Sequence, residues 1–214
     1  MLGNQFRLFC LVLGGHFLGV SASGLGLLEF LILDGNELRA MLHYTADNEL
    51  PGPVAIRYPR DIVPTEMTSE VDSLAWGEWE GEIGDADIFL LAVGTMYVSA
   101  LRAAEILEDR GLNVAVINAR FVKPFDEKTL AVICDKAKVI ATLEENQLRG
   151  GFGQAIADYL LSSGYHGKFK AFGLPDSFTT HGNRDQLLVE TGLDIDSIVM
   201  EIVGLTGQAG NGTS

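Results

Sequence analysis

From Asp87 onward, short apolar runs alternate with stretches of helical period, and this pattern limits the chain to few folds. Ile88–Val93 (IFLLAV) is apolar at every position and is closed by Gly94. A strand with no polar face is one buried on both sides. Val98–Arg110 follows with Leu101, Ala104, Ile106 and Leu107 at helical spacing, and it stops at Gly111, a residue suited to the position after a helix end. Val114–Asn118 predicts a second strand, and Asp126–Ala137 a helix with Leu130 and Ile133 facing inward. Val139–Leu143 predicts a strand, and Gly153–Ser163 a helix ending at Gly164. Phe169–Phe172 reads as a short strand, Asn183–Thr191 and Asp196–Val203 as helices, and residues 205–214 as a flexible Gly/Asn/Ser-rich tail. Apolar strands alternating with helices imply an α/β fold, a mostly parallel sheet with helices on both faces.

The chain before this unit reads differently. Asp34 and Glu37 have capping-box spacing, and Leu38, Met41 and Leu42 share one face, which predicts a helix over Gly35–Ala46. Pro51-Gly52-Pro53 predicts a turn, and Val54–Tyr58 a short strand stopped by Pro59. Residues 61–82 are polar around Trp76 and Trp79 and read as a linker. Residues 1–33 carry only Arg7 and Glu29 as charged side chains. Leu8–Leu28 is long enough to cross a bilayer and imitates a secretory signal. Gly14, Gly15 and His16 interrupt it, however, and a second apolar run follows at once. The expectation is that 1–33 is non-native or frame-shifted sequence, with a signal or anchor as the alternative.

Composition narrows the function classes. Apolar residues make up 47% of the 214, which excludes a disordered chain. Acidic residues number 29 against 15 basic ones, a formal charge of −14, and such a surface repels phosphate backbones, so nucleic acid is not an expected partner. The two cysteines, Cys10 and Cys134, form neither a metal spacing nor a disulfide framework, and the chain is read as reduced and cytoplasmic, with no membrane partner expected.

Five places could carry chemistry. Arg57-Tyr58-Pro59-Arg60 puts a guanidinium just past a strand end, where α/β sheets take ligands and a planar fork suits phosphate; the alternative is a pair of surface or interface arginines. Gly150-Gly151-Phe152-Gly153 precedes a helix whose amides could hold an anion, or the glycines could simply allow a close approach of loop and helix. It is not a dinucleotide fingerprint, because Ile156 stands at the third glycine position. Glu144-Glu145 could do acid/base work, pair with Arg120 or Lys123, or sit at a subunit contact. His43 and His181 lack a nucleophile or metal-ligand companion. No Ser/His/Asp arrangement, P-loop or zinc spacing occurs in the sequence, so the residues support a possible anion site without a self-sufficient catalytic centre.

Taken in order, DGNELRAMLHYTA (34–46), GPVAIRYPRD (52–61), INARFVKPFDEK (117–128), ATLEENQLRGGFG (141–153) and GLPDSFTTHGNRDQLLVETGLD (173–194) resemble the C-terminal part of the 1-deoxy-D-xylulose-5-phosphate synthase family, within the transketolase superfamily. The resemblance runs from about 34 to 204. It implies a remnant of a pyrimidine-binding domain over 34–60, a linker over 61–82 and a transketolase-type C-terminal domain over 83–204. It implies thiamine diphosphate and Mg²⁺ as cofactors, and condensation of pyruvate with glyceraldehyde 3-phosphate. The second arginine of the RYPR motif contacts the aldehyde substrate's phosphate in that family, and the matching residue is Arg60; no role carries over to Arg57. The family's GDG metal motif, its activating glutamate and its DRAG and GADG segments have no counterpart in these 214 residues. The expectation is therefore a chain inactive by itself, working as a homodimer or paired with a full-length synthase. Alternatives are a non-catalytic interaction module, the β-subunit end of a 2-oxo-acid dehydrogenase, or a membrane-anchored or secreted domain using 1–33. The strand at 54–58 is expected to lack sheet partners, leaving 1–60 poorly ordered or sticky while 83–204 folds alone.

Overall fold

The computed structural model describes residues 8–13, 28–50, 53–59, 74–176 and 184–207. Two sheets share the molecule. The parallel sheet has strand order β5-β4-β7-β8, from β4 (Ile88–Ala92), β5 (Val114–Asn118), β7 (Val139–Gln147) and β8 (Lys168–Leu174). All three of its pairings are parallel, with Ile88 opposite both Val114 and Val139.

Strand alternation explains why β4 is apolar throughout. Ile88, Leu90 and Ala92 face one side, where α2 (Met96–Asp109), α5 (Arg184–Thr191) and α6 (Ile195–Thr206) contribute Ala100, Leu107, Leu188 and Ile198. Phe89 and Leu91 face the other, against Leu130 and Ile133 of α3 (Glu127–Lys136) and Ile156 and Leu160 of α4 (Phe152–Ser163). Every residue of β4 is buried. This is the α/β architecture with helices on both faces.

The second sheet, order β1-β3-β2-β6, is mixed. β3 (Val54–Pro59) lies between β1 (Leu8–Leu13), antiparallel to it, and β2 (Leu28–Leu31), parallel to it. β2 also pairs with β6 (Phe121–Lys123), which lies between β5 and α3 in the chain. The expectation that the strand at 54–58 lacks partners is thus corrected: both of its edges are paired. Both neighbours come from an apolar segment without strand alternation, and β2 is in turn paired with a three-residue strand that only tertiary pairing defines. α1 (Gly35–Asp47) begins as its spacing predicts, with the Asp34 side chain accepting the Asn36 and Glu37 amides at 2.9 and 3.0 Å. Leu31, Ile32, Met41, Val54 and Ile56 join the same core as Phe89 and Leu91, so the 28–59 unit and the parallel sheet bury a common apolar face.

Residues 74–82, the end of the expected linker, are packed rather than loose. Trp79 is buried; its indole N–H donates to the Phe121 carbonyl at 2.8 Å and its amide to Asp126 Oδ2 at 3.0 Å. Trp76 stacks on Tyr44 and meets Phe121 edge-on. Glu80 exchanges backbone hydrogen bonds with Asn118, covering the outer edge of β5. Among the described residues no helix is long and apolar enough to cross a membrane.

Candidate functional site

In an open α/β sheet, ligands settle beyond the carboxyl ends of the strands, where successive connections leave to opposite faces. Here that place lies between β4, whose connection runs to α2 on one face, and β7, whose connection runs to α4 on the other. The chain itself occupies it. Gly94 has φ +57°, and a Cβ on it would stand 3.3 Å from the Ile32 carbonyl oxygen, so the end of β2 lies directly over the end of β4.

Three successive amides fan out from this crossing. Leu31 N–H donates to the Arg120 carbonyl at 3.1 Å, Ile32 N–H to the Arg57 carbonyl at 3.2 Å, and Leu33 N–H to Glu37 Oε2 at 2.6 Å. The other Glu37 oxygen accepts from Asn118 Nδ2 at 2.9 Å and lies 3.4 Å from Arg120 Nε. Arg120 also pairs with Glu80. The Glu37 and Arg120 side chains are 0% and 6% exposed, so this is a buried ion pair. Burial pushes the Glu37 carboxyl above its ordinary range, opposed chiefly by the Leu33 amide and the Arg120 charge. Half-buried Tyr97 on α2 is raised too, by burial first and then by the Glu80 charge.

Glu144 and Glu145 lie within β7, which runs past the predicted end at Leu143 because β8 continues beside it to Leu174. The pair separates. The buried Glu144 carboxylate caps α4, accepting the Phe152 amide at 3.0 Å and the Gly153 amide at 2.7 Å. Burial raises its pKa to about 7, against the pull of those two amides and of Arg57. Glu145 turns the other way, to Arg184 at the start of α5 and to Thr95 Oγ1 at 3.1 Å.

The glycine-rich turn is thereby explained. A Cβ on Gly151 would sit 2.3 Å from the Gln147 carbonyl oxygen and 2.6 Å from Glu144 Oε2; one on Gly153 would sit 2.8 Å from Thr142 Oγ1. The amides do bind an anion, as their position suggests, but the anion is the chain's own carboxylate. The considered pairing of Glu144-Glu145 with Arg120 or Lys123 is corrected: Arg120 belongs to Glu37 and Glu80, and Lys123 is exposed.

Of the motif arginines, Arg57 forms an ion pair with Glu29 on the adjacent β2, Nη1 to Oε1 2.6 Å. Arg60 and His181 lie outside the described residues. His43 is exposed on α1, and burial pushes the half-buried Cys134 thiol up. Spacing alone could not reveal that Glu37, Asn118, Glu80 and Arg184 act with these residues, since the Glu37–Asn118 contact crosses 81 positions. The capping-box spacing marked Glu37 only as a local helix residue.

The described residues do not fit a magnesium diphosphate group. Among them no three His, Cys, Asp or Glu side chains converge as metal ligands. The glycine-rich start of α4 already holds Glu144.

Comparison with known proteins agrees with this architecture. The family described as transketolase, C-terminal domain, matches residues 77–198. The 1-deoxy-D-xylulose-5-phosphate synthase of Pelotomaculum thermopropionicum is 43% identical over 172 residues, 79% of this chain and 27% of that protein. The synthase of Chlorobium phaeovibrioides is 41% identical over 170 residues, again 79% and 27%. The chain thus spans about a quarter of the length of these curated relatives. Among solved structures, a split-gene transketolase, an inactive β4 tetramer, superposes with a TM-score of 0.73 at 28% identity, covering 84% of this chain and 57% of that one. A transketolase variant from Pichia stipitis superposes at 0.63 with 16% identity over 85% of this chain and 25% of that one, a likeness of fold alone. The chain belongs to the transketolase C-terminal domain family, and the curated relatives it resembles are 1-deoxy-D-xylulose-5-phosphate synthases.

Proposed function

We propose that this chain supplies the C-terminal portion of a thiamine-diphosphate-dependent synthase that joins pyruvate to glyceraldehyde 3-phosphate, giving 1-deoxy-D-xylulose 5-phosphate in the cytoplasm. The observation that carries this reading is the 43% identity to such a synthase across 79% of the chain. Residues 34–60 are read as the end of a pyrimidine-binding domain, 61–82 as the connection and 83–204 as the C-terminal domain. Arg60, directly after β3, takes the phosphate of the aldehyde substrate, where a planar guanidinium suits a dianion. Arg57 has a different task, because Glu29 already holds it.

The residues described here hold the end of β3 against the parallel sheet and supply no donor set for the cofactor. On this reading the 214-residue chain is inactive by itself, and activity needs the cofactor-holding portion of the synthase, on the same chain or a partner. Calorimetry with thiamine diphosphate and Mg²⁺ should show no binding to the isolated chain; micromolar binding overturns this. In an assembled, active synthase, Arg60→Ala should raise the KM for glyceraldehyde 3-phosphate about a hundredfold while pyruvate decarboxylation persists. An unchanged KM removes Arg60 from its role.

A second reading has its own support. The split-gene transketolase neighbour is an inactive β4 tetramer, so a chain of this kind can assemble without turning over. On that reading the protein is a pairing module for itself or for a full-length synthase. Co-purification with a full-length synthase supports it, and a monomer that ignores the synthase counts against it.

A further inference from the structure

We propose that Glu37 is a positioning residue: through Asn118 and Arg120 it fixes the carboxyl end of β3 relative to the parallel sheet. The proposal deepens the reading of Arg60, since Arg60 follows β3 in sequence, and its consequence for phosphate binding rests on that reading. The orientation of β3 itself stands on the contacts alone.

The contacts form a closed circuit. Arg120 receives the Leu31 amide on its carbonyl, and its guanidinium lies beside Glu37. Glu37 receives the Leu33 amide. Between these two anchors, the Ile32 amide reaches the Arg57 carbonyl near the end of β3. A single buried carboxylate therefore connects the β2–α1 turn, the end of β5 and, one hydrogen bond further, β3.

Two observations set this circuit apart from ordinary core packing. Glu37 is fully buried yet divides its oxygens between the β2–α1 turn at Leu33 and the Asn118–Arg120 stretch at the end of β5, which local helix capping does not require. Asn118 Oδ1 and Arg120 Nε are buried without a hydrogen-bond partner among the described residues, so Asn118 is held through its Nδ2 donation to Glu37, while Arg120 is shared between Glu37 and Glu80. Apolar contacts between the two units are non-directional and tolerate sliding, whereas this circuit allows one register.

The test is hydrogen exchange on the whole 214-residue chain, wild type against Glu37→Gln. Glutamine has the same shape, and its amide can donate to the free Asn118 Oδ1 once that side chain flips, so folding is retained. The attraction for Arg120 is lost. The expected result is exchange about tenfold faster at the Leu31 and Ile32 amides, with Leu90 and Ala141 in the parallel sheet unchanged. Arg120→Lys, which keeps the charge but loses the planar fork, should give a smaller increase at the same two amides. Unchanged exchange at Leu31 and Ile32 overturns the proposal. Equal acceleration in both sheets overturns it as well, since Glu37 is then only a general contributor to stability. Titration of inorganic phosphate into wild type, Glu37→Gln and Arg60→Ala runs alongside. Wild type and Arg60→Ala binding alike defeats the Arg60 reading, while the exchange data still decide the role of Glu37.

Discussion

The Gly153 amide donates to Glu144 Oε1 at 2.7 Å, and this contact binds the start of α4 to the end of β7. The approach leaves no room for a side chain: a Cβ on Gly153 would meet Thr142 Oγ1 at 2.8 Å and the Ala171 Cβ at 2.9 Å, both on sheet strands that cannot move aside. Gly153→Ala should therefore destabilise the chain by about 2–3 kcal/mol. Gly164→Ala provides the contrast. Gly164 has φ +74° and nothing within 4 Å of its would-be Cβ, so only left-handed backbone strain acts, about 1 kcal/mol. Urea unfolding of the two variants should separate these values.

Stability should also respond to pH through Glu144, whose folded pKa is about 7 against an ordinary 4.5. Below 4.5 the carboxyl is protonated whether the chain is folded or not. Between 4.5 and about 7 the folded chain keeps a proton that the unfolded chain has released, so stability falls as the pH rises. Above that window the loss is constant, on the order of 3 kcal/mol. Glu144→Gln removes this contribution. The wild-type stability minus that of the variant should decline through the window and then level off; a flat difference across it contradicts the assignment.

Trp79→Phe keeps an aromatic ring near Phe152 but deletes the indole donor to the Phe121 carbonyl. The carbonyl is buried, so the expected loss is about 1–2 kcal/mol. Denaturant midpoints followed by far-UV circular dichroism would measure it, and a loss below about half a kcal/mol would show that another donor takes over.

Arg57→Ala should matter less than its place in the motif suggests. Its ion pair with Glu29 is partly open to solvent, with side chains 29% and 23% exposed, and such pairs contribute under about 1 kcal/mol. In an assembled synthase the same variant should leave the KM for the aldehyde near wild type, in contrast to Arg60→Ala.

The parallel sheet was legible in the sequence because β4, β5 and β7 bury both faces, and their neighbours have helical period with glycine stops. The Gly111 stop has φ +78°, as a position after a helix end requires. The mixed sheet was not legible. β6 is three residues long and pairs with β2 some 90 positions earlier, beyond the reach of any local pattern. At the strand ends, residue types were readable but partners were not. The EE pair, the GGFG turn and the lone arginines each offered several pairings, and three-dimensional proximity chose among them. Glu144 went to the turn, Glu145 to Arg184, and Arg120 to a helix residue across 83 positions.

The self-occupied turn before α4 bears on how such motifs are read elsewhere. A glycine-rich helix start is easily mistaken for a receptor awaiting phosphate. Here Glu144, eight residues before Phe152 and nine before Gly153 on the preceding strand, accepts both amides, and the loop is self-ligated. Its glycines then record how closely two pieces of one chain approach, and the cargo has to be sought at another address.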